Sequence, residues 1–196
     1  MTVYVDFDNT IVESNKRIIE LLNKKYNLSK TENDLCDYGY KSIAPITDEE
    51  KLLLFESDDF FNDLKFKDGF LEMLGRHHEH IKFIVVTKGT QKNLEKKEAW
   101  IKNNLPFDIE FVGITNNDFS KKTVDMSDGI QIDDCVYALD ANASLKILYK
   151  SHNNFGWQQD YTNTDIMVVN TWKEIDEILS FYSVYDYKTL SKKGEE

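Results

Sequence analysis

The apolar positions along this chain fall into two alternating patterns. Short runs are apolar throughout, and the stretches between them repeat their apolar residues at helical spacing. Val3 to Val5 reads as a strand that stops at Asp6, Asp8 and Thr10. Ile18, Ile19, Leu22 and Tyr26 then recur on one helix face. The stretch from about Lys30 to Pro45 is polar, mixed and without a period. In "ITDEEKLLLF", Thr47 and Glu50 have the spacing of a capping box ahead of an apolar run, which predicts a helix start. A short helix is predicted from Asp68, carrying Phe70, Leu71 and Leu74. "IKFIVVT", Ile81 to Thr87, predicts a second strand, and Gln91 to Asn104 a helix with Leu94, Ala99 and Ile101. "IEFVGI", "GIQIDD", "LKILY" and "DIMVV" predict further strands, and "TWKEIDEILSFY" a closing helix capped by Thr171.

Strands that are apolar throughout and separated by helices belong to a parallel sheet covered on both faces. The expected fold class is therefore α/β, a doubly wound parallel sheet in a three-layer α/β/α core. Too many residues separate the first two strands for one crossover helix, and the excess predicts an inserted helical cap. The expected organisation is a core over residues 1–13 and 69–190, a small cap over 14–68 after the first strand, and a frayed tail over 191–196.

Composition narrows the partners. The formal net charge is -11, a long-range field that repels nucleic-acid duplexes and anionic membranes alike. No apolar run is long enough for a bilayer span. Aspartates follow the start of the chain where a secretory signal would carry basic residues, so a cytoplasmic location is expected. The two cysteines, Cys36 and Cys135, lack metal-ligand company and read as reduced packing residues. A small anionic substrate stays compatible with the charge, because a metal ion and one or two lysines invert the sign locally.

In an open parallel sheet, ligands bind at the carboxyl ends of the strands. The strong strands here end in polar residues: Asp6, Asp8 and Thr10 after the first; Thr87, Lys88, Gly89 and Thr90 after "FIVVT"; Asp133 and Asp134 after "IQI". Lys121, Lys122 and Thr123 precede the last of these. Taken singly, each has a plainer role: Asp-rich turns are solvated, a strand-end Thr caps the next helix, and lysine pairs are surface. Their convergence on one rim carries the functional reading. Two carboxylates aimed at one point repel unless a cation or proton lies between them. Mg2+ takes such oxygen ligands while keeping waters and a phosphate oxygen. One carboxylate can then attack phosphorus and form an aspartyl-phosphate. Its neighbour two residues on can protonate the leaving oxygen and later take a proton from water. Lysine and Thr neutralise and orient the phosphoryl oxygens.

These residues carry a resemblance. "DFDNT" is similar to the DxDxT signature of haloacid dehalogenase (HAD) superfamily phosphatases, "FIVVT" to the second motif of that family, and a later Lys and Asp pair complete the set in order. "NNDFSKKTVDMSDGIQIDD", "FFNDLKFKDGFLEML" and "TWKEI" resemble one branch, the 5'(3')-deoxyribonucleotidases. The resemblance implies a Rossmann-like core and Mg2+ as cofactor. It implies Asp6 as nucleophile and metal ligand, and Asp8 as general acid/base offering its backbone carbonyl to the metal. It further implies Asp134 as the remaining metal ligand, with Asp133 beside it as a ligand or supporting group, Thr87 as the phosphate-binding hydroxyl, and Lys88 and Gly89 at the border of the phosphate pocket. By the same resemblance Lys122 is expected as the phosphate lysine, because it directly precedes Thr123, with Lys121 as second choice. Phe60 and Phe61 resemble cap aromatics, Phe61 being a candidate to stack on a base; packing between cap and sheet is the alternative. Ser14 stands where some of these nucleotidases place an aromatic residue that touches the substrate.

The expected activity is Mg2+-dependent hydrolysis of a phosphate monoester, foremost a nucleoside monophosphate. A phosphatase of sugar phosphates, a phospho-receiver and a non-catalytic nucleotide-binding module are the alternatives. Receivers carry their aspartate on a middle strand, and neither G-x-G-x-x-G nor G-x-x-x-x-G-K-[ST] occurs. A homodimer is left open.

Overall fold

The computed structural model describes residues 1–115, 120–152, 155–158 and 165–193. Six strands form one all-parallel sheet: β1 (Thr2–Val5), β2 (Lys82–Lys88), β3 (Glu110–Ile114), β4 (Gly129–Asp133), β5 (Leu145–Tyr149) and β6 (Ile166–Val169). Their spatial order is β3-β2-β1-β4-β5-β6. The strand expectations all have counterparts here. The apolar runs are strands because residues buried on both sides of a sheet leave no polar face to show.

Among the described residues, six α-helices accompany the sheet: α1 (Ser14–Tyr26), α2 (Asp48–Phe55), α3 (Asp58–Asn62), α4 (Phe70–His77), α5 (Gln91–Asn104) and α6 (Trp172–Lys193). The predicted capping box is present on α2, where the Thr47 hydroxyl accepts from the Glu50 N–H and Glu50 accepts from the Thr47 N–H. Helix α3 was not anticipated; it is one short turn capped by Ser57. The unpatterned stretch holds a 3-10 turn at Glu32–Asp34. Residues 191–193 of the expected tail continue α6, and 194–196 lie outside the described residues.

One face of the sheet packs Val3, Val5, Phe83, Val85, Ile130, Ile132 and Ile147 against Phe70 and Leu74 of α4, Trp100 and Ile101 of α5, and Trp172, Ile175 and Leu179 of α6. The other face carries Tyr4, Ile84, Val86 and Ile114, closed by Met126 and Ala141 from the connections flanking β4. Helix α1 packs on α2 and α3, within the segment that follows β1. Among the described residues, no helix is long and apolar enough to cross a membrane.

The strand order locates the site. β1 hydrogen-bonds to β2 on one side and to β4 on the other, with Val5 level with Val85 and Ile132. The chain leaves β1 for β2 on one side, whereas β4 continues to β5 on the other. That divergence is the topological switch point at which open α/β sheets form a crevice. Asp6 and Asp133, each one residue past the Val5–Ile132 pair, flank it.

Candidate active site

Asp6 leaves β1 with its N–H donating to the Ile132 carbonyl at 3.0 Å. Its side chain therefore emerges beside Asp133 and Asp134. One carboxylate oxygen from each of Asp6, Asp133 and Asp134 lies within 4.8 Å of the others. Asp133 and Asp134 are buried. Burial and the neighbouring carboxylates push Asp134 well above the usual carboxylate range. Burial and Asp6 also raise Asp133, against the opposing pull of Lys121, to about 6. Burial, with the Asp133 and Asp134 carboxylates beside it, pushes the Cys135 thiol up to about 12. Cys36 and Cys135 are both free.

The lysine in this cluster is Lys121, not Lys122. Lys121 is buried. Its ammonium lies 2.5 Å from Asp6 Oδ1 and 2.7 Å from Asp133 Oδ2, and donates to the Val86 carbonyl at 2.6 Å. Burial opposes its charge, but the Asp133 and Asp6 carboxylates outweigh that and raise its pKa. Lys122 points outward, with its ammonium exposed and 3.6 Å from Asp140. The Lys121 N–H is tied to Asp140 Oδ1 at 3.1 Å, which turns the loop so that Lys121 faces in.

Asp8 lies apart from the carboxylate cluster. Its Oδ1 accepts from the Ser14 hydroxyl at 2.6 Å and its Oδ2 from the Lys97 ammonium at 2.5 Å. Ser14 thus supports Asp8 instead of facing a ligand. Asn9 adopts a left-handed backbone (φ 55°) and accepts from the Asn15 N–H through its side chain. This turn separates Asp6 from Asp8 and lets their side chains take different partners. Thr10 is fully buried, and its carbonyl accepts from the Trp172 indole.

Thr87 is the last residue but one of β2 and is buried. Its hydroxyl receives the Lys97 ammonium at 3.1 Å, and the same ammonium donates to the Lys88 carbonyl at 2.8 Å. Lys97 escaped the sequence reading because Glu95, Lys96 and Glu98 surround it. The available signal was its place on the stripe of Leu94 and Ile101, three residues after the one and four before the other. A lysine on the buried stripe of a helix requires an anionic partner.

A cavity of about 330 Å³ opens over these groups. Asp6, Asp8, Thr87, Lys88, Gly89, Lys97, Lys121, Asp133 and Asp134 line its floor. The aromatic wall differs from expectation. Phe60 is fully buried and Phe61 packs edge-on against it with centroids 4.9 Å apart, so this pair is packing. Tyr38, Tyr40, Phe55 and Trp157 line the cavity instead, beside Lys51 and Leu52. The Lys51 ammonium stands 4.7 Å from the centre of the Tyr38 ring. Polar contacts tie this wall to the start of α5: Thr90 donates to Glu56 at 2.5 Å and Asn93 to the Phe55 carbonyl at 2.7 Å.

The donor set suits Mg2+. It offers only hard carboxylate oxygens, two from buried residues whose mutual repulsion a cation relieves. Asp133 Oδ2 is also a buried oxygen with an ion-pair neighbour but no aligned hydrogen bond.

The parallel sheet, the switch-point crevice and the converging acids describe an α/β protein with an acidic site at the carboxyl ends of its strands. Three solved structures share its fold. A haloacid dehalogenase-like family hydrolase from Streptococcus pneumoniae has a TM-score of 0.62 at 12% identity, over 92% of this chain and 97% of that one. One from Xanthomonas campestris has 0.56 at 12%, over 96% and 98%. A Bacillus subtilis protein described as a HAD hydrolase, bound to magnesium, has 0.53 at 15%, over 91% and 97%. No curated protein matches the chain. The family model for "5' nucleotidase, deoxy (Pyrimidine), cytosolic type C protein" matches residues 1–183, and the chain belongs to that family. It is a phosphoric monoester hydrolase.

Proposed function

We propose that this chain is a Mg2+-dependent phosphatase working through an aspartyl-phosphate on Asp6, with nucleoside monophosphates as substrates: a 5'(3')-deoxyribonucleotidase. The observation that carries this reading is the separate partnering of the two N-terminal acids. Asp6 sits with Lys121 and two further carboxylates, and Asp8 with Lys97 and Ser14. Two carboxylates two residues apart, each with its own cation, suit the two roles the chemistry requires.

Asp6, Asp133 and Asp134 would hold the Mg2+, with the backbone carbonyl of Asp8 as a further ligand; the ion would neutralise phosphoryl oxygens. The Asp6 carboxylate attacks phosphorus, a new P–O bond forms, and the bond to the ester oxygen breaks. Asp8 gives that oxygen its proton, so an alcohol leaves. Asp8 then takes a proton from water, whose oxygen attacks phosphorus and frees Asp6 and phosphate. Lys121 and the Thr87 hydroxyl balance and orient the phosphoryl charge.

Residues 14–68 act as the cap that selects the substrate. They supply Tyr38, Tyr40, Lys51, Leu52 and Phe55 to the cavity, a mixed aromatic and polar wall suited to a base and sugar. The family description and the two unpaired cysteines support a cytoplasmic location.

Steady-state hydrolysis of a panel of deoxynucleoside, ribonucleoside and sugar monophosphates with added Mg2+ tests the reading. Deoxynucleoside monophosphates should give the highest kcat/KM, and Asp6→Asn should abolish turnover. A preference for sugar phosphates would overturn the substrate class. Undiminished activity in Asp6→Asn would remove the nucleophile.

A further inference from the structure

The loop after β5 reaches back to the acid cluster. Its 3-10 turn, Gly156–Gln158, buries both Trp157 and Gln158. The Trp157 indole N–H donates to Asp134 Oδ2 at 3.0 Å, and the Gln158 amide donates to the same oxygen at 3.3 Å. Among the described residues, no hydrogen bond reaches Asp134 Oδ1. Two neutral donors converge on one oxygen of a buried carboxylate and leave its other oxygen for something else.

Both donors are themselves fixed. The Trp157 ring stacks on the buried Phe155 with centroids 4.6 Å apart and planes at 12°. Tyr38 also packs edge-on against it, 5.6 Å away at 86°. An indole held by two rings has one direction for its N–H. The Gln158 carbonyl oxygen accepts from the His152 N–H at 3.4 Å, so its amide nitrogen turns toward Asp134 and Ser151. Neither side chain has a role in the phosphatase chemistry above.

We propose that Trp157 and Gln158 are positioning residues of the cation site: by holding Asp134 through Oδ2 they aim Oδ1 at the divalent cation it shares with Asp6 and Asp133. The inference rests on the reading of those three aspartates as the Mg2+ ligands. Outer partners of this kind orient a ligand before the cation arrives, and their loss costs roughly 10- to 100-fold in metal affinity. Tyr38 belongs to the cavity wall, so the same indole joins the substrate side of the cavity to the cation side.

The test measures Mg2+ binding to the full chain by titration calorimetry, independent of turnover. Trp157→Phe keeps a ring against Phe155 and Tyr38 and removes only the donor. It should weaken Mg2+ binding about 10-fold or more, while the melting temperature in chelator stays near that of the wild type. Gln158→Met keeps the side-chain length, removes the second donor, and should weaken binding in the same direction. It serves as the independent variant if Trp157→Phe folds poorly. Wild-type Mg2+ affinity in both variants would overturn the proposal while leaving the phosphatase reading intact. Failure of the wild-type chain to bind Mg2+ at all would overturn the cation reading and this inference with it.

Discussion

Lys97 holds Asp8: an ammonium on α5, almost wholly buried, stands 2.5 Å from Asp8 Oδ2, with the two residues 89 positions apart in the chain. The same nitrogen bonds the Thr87 hydroxyl and the Lys88 carbonyl. One lysine therefore fixes both the acid and the hydroxyl to which the proposed mechanism gives the proton and the phosphoryl oxygens. A buried ammonium persists only with such partners, so its placement is dictated by β1 and β2 and not by its own helix.

Lys97→Met should consequently lower kcat by about 100-fold, the scale of a misdirected proton-transfer group. The effect should shrink in an Asp8→Asn background, where only the hold of Lys97 on Thr87 is left to lose. Double-mutant kinetics check this. Losses that multiply would show that Lys97 acts on the substrate by itself.

The adjacent lysines should separate cleanly. Lys121→Met leaves Asp6 and Asp133 without their shared cation and should reduce kcat/KM about 1,000-fold. Lys122→Ala should change it by less than about twofold, because an exposed ammonium 3.6 Å from Asp140 contributes little. The reverse order would restore the lysine that the sequence favoured.

Cation and proton compete for the acid cluster. The folded-state carboxyl of Asp133 lies at about 6, above its ordinary value of 3.8, and Asp134 is raised too. A carboxyl raised on folding binds more protons when folded, so the cation-free protein loses stability as pH rises from about 4 through 6. Lys121 keeps its proton across this window and does not alter the trend. Mg2+ removes the repulsion between deprotonated carboxylates. The stabilisation on adding Mg2+, read as a gain in melting temperature, should therefore grow from pH 5 to pH 7, and reaches about 2.7 kcal/mol when Mg2+ exceeds its Kd about 100-fold. Thermal melts with Mg2+ or chelator at stepped pH values check this; a gain independent of pH would place the cation elsewhere.

Much of the site was legible because strand ends are legible. An apolar run that stops at Asp6 or Asp133 shows where a side chain leaves the sheet, and the parallel pattern brings those ends to one rim. The loops lack such a period. Lys121 and Lys122 are chemically identical neighbours, and a hydrogen bond from the Lys121 N–H to Asp140, nineteen positions on, decides which turns inward. Phe60 and Phe61 were chosen for their bulk, yet bulk suits burial as well as stacking. Tyr38 and Tyr40, which line the cavity, lie in the stretch that had no period at all. Tyr40 holds a left-handed backbone (φ 59°) and donates from its hydroxyl to Asn15 at 2.6 Å, a contact local pattern does not contain.

By itself, the order of apolar and acidic residues determined the parallel sheet, the acids at its rim and the class of chemistry, because backbone periodicity and charge repulsion act over neighbouring positions. Only the tertiary structure decided which lysine serves Asp6, that Lys97 serves Asp8, and that Trp157 and Gln158 brace Asp134. Those pairings satisfy buried charge across distant segments, and a buried charge takes its partner from whatever the fold brings within about 3 Å.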